Sequence, residues 1–395
     1  MRIATTTFQN DAVSQMDALE AALAQTQQQL STGLKVQNAA DDPTGMVLVN
    51  QMNTEVSAST QYVTNGNTAQ TNLGLEQQAL SDATNVLQNA NTLAVEANNS
   101  SLTAAQRGNI ATELQQDLQS LVGIANRQDS SGAYLFGGIA SSSQPFTQSN
   151  NTVSYNGATQ VNQVQIDQNQ SISVGDTGAT AFMNIPTGNG TFVTSASPGN
   201  TGSASISTGT VVNSSQWVPG NYTISFSSPT NYTVTDSAGN TVTSGTFSDG
   251  DSISFNGVQM TISGTPAAGD TFTVSPSGQS SSFDTLSNLI TTLNSSTLNN
   301  GQLATQIGGA IQQINNSITN FSNVAASVGS RLNAITASQS TAQTNQTTLK
   351  TNIGTITNTD YAAATTALSS EELALQAAQE SYASVEKLSL FQYLQ

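Results

Sequence analysis

The chain has 395 residues, of which only 8% are charged and 5% aromatic, and its formal net charge is -17. Nucleic acids and anionic membrane surfaces would repel such a chain, so neither is an expected partner. The absence of cysteine and histidine removes thiol and imidazole nucleophiles, the usual zinc ligands and any disulfide. No apolar run is long enough to span a bilayer, and MRIATTTFQND lacks the apolar core of a secretory signal. We therefore expect a cytoplasmic chain, or one exported without a cleaved signal.

The first forty residues predict a long helix followed by a sharp joint. Apolar or small residues recur at alternating four- and three-residue steps, as in a coiled-coil seam: Ala12, Met16, Leu19, Leu23, Thr26 and Leu30. Gly33, just past this pattern, suits a left-handed C-terminal cap. Asp42 and Pro43 then suit the N-cap and the first position of a second helix. Asp41 and Asp42 could also pair for acid–base chemistry, but capping explains them with fewer assumptions.

The helical pattern continues to about residue 130, with Leu73, Leu80 and Leu87 seven residues apart. Thr103 suits the N-cap of the helix that carries Arg107.

Between Asp129 and Gln279 the composition changes to Gly, Ser, Thr and Asn, and apolar residues alternate with polar ones. The pairs Asn156-Gly157 and Asn256-Gly257 are typical of hairpin turns. No Lys or Arg lies between Arg127 and Arg331. This stretch is predicted to be an antiparallel all-β domain.

After Phe283 the helical period returns, and the last helix has the clearest seam. Tyr361, Leu368, Leu375 and Tyr382 stand seven residues apart. The companion seam positions and the apolar C-terminal cluster are occupied by Ala364, Ala378 and Val385, and by Leu388, Leu390, Phe391, Tyr393 and Leu394.

These patterns predict an α+β fold, an elongated multidomain rod with helical coiled-coil domains built from both chain ends and an inserted antiparallel all-β domain. The predicted segments are an N-terminal helical assembly segment (1–45), a helical rod domain (46–130 and 283–345), the β insert (131–282) and a C-terminal helical assembly segment (346–395). The terminal segments carry apolar stripes with little to cover them. We expect them to become helical when neighbouring molecules bury these stripes.

No catalytic, cofactor or metal site is predicted, so the chain is not expected to be an enzyme. Ser384 and Lys387 form an S-x-x-K pair without a partner motif, which favours an exposed helix face. Asp249-Gly250-Asp251 could contribute to a calcium site but lacks the other ligands of a calcium loop. A β-turn is the preferred interpretation there.

Two motifs carry a resemblance to a known family. Residues 30–45, LSTGLKVQNAADDPTG, resemble the N-terminal signature of the flagellin superfamily. The run from Gly132 through Tyr134 and Phe136 to Gly138, together with the apolar C-terminal cluster, is similar to the hook-associated protein 3 branch, the hook–filament junction proteins.

The resemblance implies a structural component of the bacterial flagellum, exported unfolded by the flagellar type III route and located outside the cell at the hook–filament junction. The implied partners are hook-associated protein 1, flagellin, further copies of the chain in a ring, and an export chaperone that binds the C-terminal helix. The expected assembly interface comprises Met16, Leu19, Leu23, Leu30, Leu368, Leu375, Tyr382 and Val385.

Two alternatives remain open at this point. The first is filament flagellin itself, which would share the terminal helices but polymerise alone. The second is a surface adhesin or glycan-binding protein that uses the β insert, for which Trp217 with Tyr222 offers limited aromatic support.

Overall fold

The computed structural model describes residues 2–391, and the side-chain surroundings of residues 6–386. The predicted C-terminal cluster Leu388–Leu394 therefore lies outside the described side chains. Long helices form both ends of the chain: α1 (Arg2–Thr32), α2 (Pro43–Ala97), α3 (Ala104–Ala125), α4 (Ser282–Leu293), α5 (Asn300–Thr357) and α6 (Tyr361–Phe391).

Short strands fill the region between α3 and α4. They are β1 (Phe146–Ser149), β2 (Thr152–Tyr155), β3 (Gln163–Asp167), β4 (Gln170–Ser173), β5 (Ile185–Pro186), β6 (Phe192–Ala196), β7 (Ser205–Ile206), β8 (Thr210–Val211), β9 (Tyr222–Ser228), β10 (Asn231–Thr235), β11 (Thr241–Thr246), β12 (Ser252–Phe255), β13 (Val258–Ser263), β14 (Thr271–Pro276) and β15 (Gln279–Ser280). Every strand pairing in the described residues is antiparallel. The predicted α+β class, with helices from both chain ends and an inserted antiparallel β region, is confirmed.

The chain divides into two compact units, one of residues 1–63 with 339–395 and the other of residues 64–338. Both α2 and α5 pass through these boundaries without interruption. The first unit contains α1, α6 and the joint between α1 and α2, and its helices α1 and α6 pack on each other. The buried apolar residues described in this unit are Val36, Val49, Ala342 and Ala364.

Burial of the predicted seam of α2 stabilises the helical part of the second unit. Leu73, Leu80 and Leu87 are fully buried, with alanines between them that let neighbouring helices approach closely. The capping box at the start of α3 fixes its first turn, because Thr103 and Gln106 each accept from the other's backbone N–H. Burial of each large apolar side chain contributes about 1.5–3 kcal/mol.

The inserted β region is divided between two apolar cores, a division that the sequence did not indicate. Phe136, Phe146 and Phe182 belong to the helical core, where the Phe182 ring lies 5.1 Å from the ring of Phe321 on α5. The hairpins β1–β2 and β3–β4 therefore cover the helices. A two-stranded hairpin cannot bury such large side chains alone, so they pack against a helical neighbour.

Strands β6 to β14 form a separate β domain with its own core, whereas β5 and β15 pair with each other. One sheet has the strand order β11-β10-β9-β14-β6, and a second has the order β12-β13-β7 with β8 beside β13. The inward residues alternate along the strands as predicted, so that Ile224, Phe226, Met260, Phe272 and Val274 are buried. This domain spans residues 192–274 of the predicted insert.

Candidate assembly interface

The joint between α1 and α2 is built around a glycine that another residue would strain. Gly33 has φ +72, and its N–H donates to the Gln29 carbonyl at 2.8 Å, which closes α1 in a left-handed cap. A Cβ at Gly33 would lie 2.8 Å from the Tyr361 hydroxyl oxygen. The chain then pairs with the segment before α6, since Lys35 N–H donates to the Thr357 carbonyl at 2.7 Å.

The two acidic residues of the joint are both engaged by backbone donors. Asp42 Oδ1 accepts from the Gly45 N–H at 2.9 Å, and α2 begins at Pro43. Asp41 Oδ2 accepts from the N–H groups of Gln37 and Asn38 at 3.0 Å each. These hydrogen bonds hold the pKa of the Asp41 carboxyl below its usual value. The pair performs the turn and capping role that the sequence favoured over acid–base chemistry.

The predicted interface residues of the two terminal helices are all half-buried, whereas most positions around them are exposed: Met16, Leu19, Leu23 and Leu30 on α1, and Leu368, Leu375, Tyr382 and Val385 on α6. Of the other predicted seam positions, Thr26 and Ala364 are buried, and Tyr361 is 57% exposed. The helices run antiparallel, because Gly33 at the end of α1 meets Tyr361 at the start of α6. Because α1 and α6 pack on each other, each helix partly buries the apolar stripe of the other within one chain. This explains why both segments are helices here, although the sequence analysis expected helix formation on assembly.

Apolar side chains also remain on the outside of this unit, which the sequence analysis did not single out. Leu373 is 69% exposed on the side of α6 away from the seam, and Phe8 on α1 is 50% exposed. Val47 and Leu48, in the first turns of α2, are exposed as well. A single exposed leucine is ordinary, but this unit carries several. In the sequence, an apolar residue outside the predicted seam positions was the feature that could have identified these exposed side chains.

The calcium interpretation of the sequence is not supported by the geometry of its turn. Asp249 Oδ1 accepts from the Gly264 N–H at 2.6 Å, and Asp251 Oδ2 from the Ser248 N–H at 2.8 Å. Gly250 between them has φ +87. The two carboxylates thus stabilise a β-turn. Among the residues that the structure describes, no cluster of three or more acidic side chains could hold a metal.

Of the two aromatic residues suggested for glycan binding, Tyr222 belongs to the core of the β domain and Trp217 is half-buried against that core. Tyr222 is buried, and its ring lies 5.1 Å from that of Phe255. Trp217 packs on Phe192 with ring centroids 5.6 Å apart. An aromatic platform for a sugar needs exposed ring faces, and the burial of Tyr222 removes one of the two rings on which the adhesin alternative depended.

The S-x-x-K pair also has a structural explanation, as far as it is described. Ser384 Oγ donates to the Glu380 carbonyl one turn earlier at 2.9 Å, and the side chain of Lys387 lies outside the described residues. None of the helices described over residues 2–391 combines the length and apolar character required to cross a membrane.

A buried charged network in the second unit was missed by the sequence analysis. Glu76 is 1% exposed and lies on the seam between Leu73 and Leu80. Its Oε1 accepts from the Asp176 N–H at 3.1 Å, while Oε2 has no partner. Asp176 forms an ion pair with Arg331. Burial raises the pKa of Glu76 to about 8, and the neighbouring Asp176 charge adds to the effect. In the sequence, the acidic residue at a seam position was the feature that could have indicated this buried network.

Comparison with known proteins shows that the N-terminal helical region and the β domain are both similar to parts of flagellar proteins. Residues 3–141 match the family of the bacterial flagellin N-terminal helical region, and residues 195–276 match the D2-like domain of flagellar hook-associated protein 1. Flagellar hook-associated protein 3 of Salmonella typhimurium is 30% identical over 185 residues, which is 47% of this chain. That match spans 58% of the length of the Salmonella protein.

The solved structures match a larger part of this chain than the Salmonella protein does. FlgL of Xanthomonas campestris is 35% identical with a TM-score of 0.71, and the match covers 76% of this chain and 98% of that one. The chain belongs to the FlgL family of flagellar hook-associated proteins. The flagellar junction protein FlgL of Legionella pneumophila, 30% identical with a TM-score of 0.68, matches 73% of this chain and 99% of its own. The resemblance to the flagellin superfamily and its hook-associated protein 3 branch is thereby confirmed. The residues that match the flagellin N-terminal family, 3–141, include the α1–α2 joint.

Proposed function

We propose that this chain joins the flagellar hook to the flagellin filament, as a structural subunit located outside the cell. The observation that carries the proposal is the match to FlgL over 98% of the Xanthomonas structure at 35% identity. The Legionella relative that matches over 99% of its length is itself named a flagellar junction protein. The proposed partners are hook-associated protein 1 on one side, flagellin on the other, and further copies of this chain in a ring.

Assembly would use the terminal helices. The seam residues Leu375 and Tyr382 are only half-buried against α1, and Leu373 is 69% exposed on the opposite side of α6. A neighbouring subunit that packs against these faces would bury the remaining apolar surface, at about 25 cal/mol per Å². Such burial stabilises the paired helices only where a neighbour is present. If α1 and α6 are separated before assembly, the apolar stripe of the C-terminal helix is exposed and could bind an export chaperone during type III export.

The assembly role can be tested by placing a charge on the outer face of α6. Leu373→Asp should leave the purified chain folded, because the side chain already faces water. In a bacterium that lacks its own copy of the gene, we expect this variant to reduce incorporation into isolated flagella by at least about tenfold and to abolish swimming, since a buried unpaired carboxylate is costly.

Val218→Asp is the matched control, because Val218 is 59% exposed but belongs to the β domain and to neither α1 nor α6. It should be incorporated normally. Normal swimming with Leu373→Asp would contradict the proposed role of this face. Filament flagellin is the competing candidate, favoured by the flagellin match over residues 3–141. Purified chains that form long filaments without hook-associated partners would decide for it.

A further inference from the structure

Positive charge is left without an acidic partner in the terminal unit, residues 1–63 with 339–395. Both ion pairs among the described side chains lie in the other unit. Lys35 and Lys350 of the terminal unit are exposed and belong to neither pair. Lys35 lies in the joint between α1 and α2, next to Leu34, which is 37% exposed. The joint surface, defined as Leu34 and Lys35, therefore offers an apolar side chain beside a positive charge.

The acidic residues of the joint do not neutralise Lys35, because they are engaged by backbone donors. Asp41 and Asp42 accept from N–H groups of the joint and of the first turn of α2. Asp360 Oδ1 accepts from two N–H groups in the first turn of α6, at 3.0 and 3.1 Å. Such caps direct each carboxylate toward a helix end. The lysine is consequently the charge that the joint presents to a partner.

The outer face of α6 carries the opposite charge. Leu373, 69% exposed, is the most exposed of the large apolar side chains described on α1 and α6. Glu380 stands seven residues later, on the same stripe of the helix. It is exposed and outside both ion pairs, and its Oε1 accepts from Gln376 Nε2 at 3.3 Å. The outer α6 stripe, defined as Leu373 and Glu380, thus combines an apolar side chain with a negative charge.

The joint surface and the outer α6 stripe cannot meet within one chain. The Lys35 N–H donates to the Thr357 carbonyl at 2.7 Å, so this residue lies near the start of α6 at Tyr361. Because a helix rises about 1.5 Å per residue, Glu380 lies about 28 Å along α6 from Tyr361. An ion pair requires a separation of about 4 Å or less. Only another molecule can bring these two charges together.

The signs of the charges decide how two copies can pair. Two joint surfaces in contact would bring two Lys35 ammonium groups together, and two outer α6 stripes would bring two Glu380 carboxylates together. Like charges repel in both cases. Contact between the joint surface of one copy and the outer α6 stripe of the next is attractive instead. Such a head-to-tail interface repeats from copy to copy and can close into a ring.

We infer that the joint surface of one copy, through Leu34 and Lys35, binds the outer α6 stripe of the next copy, through Leu373 and Glu380. The inference rests on the proposed function, because it names the surfaces through which copies contact in the ring. The partner is a second copy because both surfaces lie on one chain, and their contact offsets the repulsion between molecules of net charge -17. A depression of about 80 Å³, lined in part by Leu34 and Lys35, provides room for the end of the Glu380 side chain.

Thiol cross-linking tests this contact directly, since the chain contains no cysteine. Flagella are isolated from a bacterium in which Lys35→Cys/Glu380→Cys replaces the parent chain, and they are treated with a short bismaleimide. We expect a ladder of multimers of this chain on a denaturing gel, because head-to-tail links connect successive copies. Neither single variant should give cross-linked products.

Three cross-linking results would overturn the inference. The first is a dimer formed by either single variant, which would show that identical surfaces meet. The second is a Lys35→Cys/Glu380→Cys chain that is incorporated but not cross-linked. The third is a ladder formed instead by Lys35→Cys/Asp17→Cys, because Asp17 lies on α1 and not on α6.

Charge reversal tests the same contact without cysteine. Lys35→Glu should reduce incorporation into flagella by at least about tenfold, because it places like charges opposite each other. Adding Glu380→Lys to the same chain should restore incorporation. Lys350→Glu is the matched control, since it reverses an exposed lysine of the terminal unit that lies on α5, outside the joint, and it should be incorporated like the parent.

The charge-reversal variants also separate the inference from the proposed function. A double variant that is incorporated as poorly as Lys35→Glu alone, or a Lys350→Glu chain that is equally impaired, would overturn the inference while the parent chain is still found in the flagella. Absence of the parent chain itself from isolated flagella would contradict the proposed function, and the inference with it.

Discussion

The buried Glu76 makes the stability of residues 64–338 depend on pH. Its pKa is raised from 4.5 to about 8, so the folded state binds a proton that the unfolded state has released at neutral pH. For a carboxyl with a raised folded-state pKa, stability is highest below the unfolded pKa and falls as pH rises toward the folded pKa. The affected window is therefore about pH 4.5 to 8. At pH 7 the difference of 2.5 pH units corresponds to about 3 kcal/mol.

Glu76→Gln removes this pH dependence while keeping the shape of the side chain. The amide oxygen can still accept from the Asp176 N–H, whereas the amide nitrogen replaces the unpaired Oε2. That unpaired donor costs about 1–3 kcal/mol at every pH. The informative quantity is consequently the change with pH. The free energy of unfolding of the variant, relative to the parent, should rise by about 3 kcal/mol between pH 4.5 and pH 7.

The assay is urea unfolding at several pH values, followed by helical circular dichroism because Glu76 lies on α2. Trp217, the single tryptophan of the chain, reports separately on the β domain by fluorescence. Glu113→Gln, at an exposed helical position, controls for the loss of one negative charge. A difference between the Glu76→Gln variant and the parent that stays constant from pH 4.5 to 8 would refute the reasoning.

Two further predictions concern helix ends. Gly33→Ala should destabilise the unit of residues 1–63 with 339–395 by about 1–2 kcal/mol, the cost of a left-handed conformation for a non-glycine residue, with further strain against Tyr361. Faster proteolysis of the terminal helices would show this, and an unchanged cleavage rate would argue against it. Thr103→Ala removes the capping box of α3 and should lower stability by about 1 kcal/mol. Thr103→Ser should restore most of the loss in thermal unfolding, and no loss with alanine would mean that the cap is dispensable.

The sequence predicted those features that depend on local chemistry. Helix seams follow from a period of three and four residues, and Gly33 and Pro43 mark helix ends because φ preferences act within a single turn. The division of the β region was not predictable in this way. Phe146 and Phe192 each begin a short strand, and only their tertiary partners place the first in the helical core and the second in the β domain.

The buried polar groups were missed for a related reason. Glu76 occupies a seam position next to leucines, and Gln313 is buried beside Ile314 with no hydrogen-bond partner for its Nε2. A sequence pattern averages over such single positions, whereas the structure shows which polar atom lacks a partner. The terminal seams were the opposite case. Leu375 and Tyr382 were recognised by their spacing, because a coiled-coil repeat is regular even where one chain only half-buries it.

The attachment of the insert follows from its composition. No Lys or Arg lies between Arg127 and Arg331. An ion pair between the insert and the helices therefore requires an acidic residue of the insert and a basic residue of a helix. Besides the ion pair between Asp176 and Arg331, the chain uses neutral amides on α5. Gln302, Asn316 and Asn320 donate to carbonyls that any sequence of the insert would present. Such bonds contribute about 0.5–1.5 kcal/mol each. Because they carry no net charge, salt screens them far less than it screens an ion pair at the surface. Side chains of the insert can therefore change while its main-chain anchorage to α5 is retained.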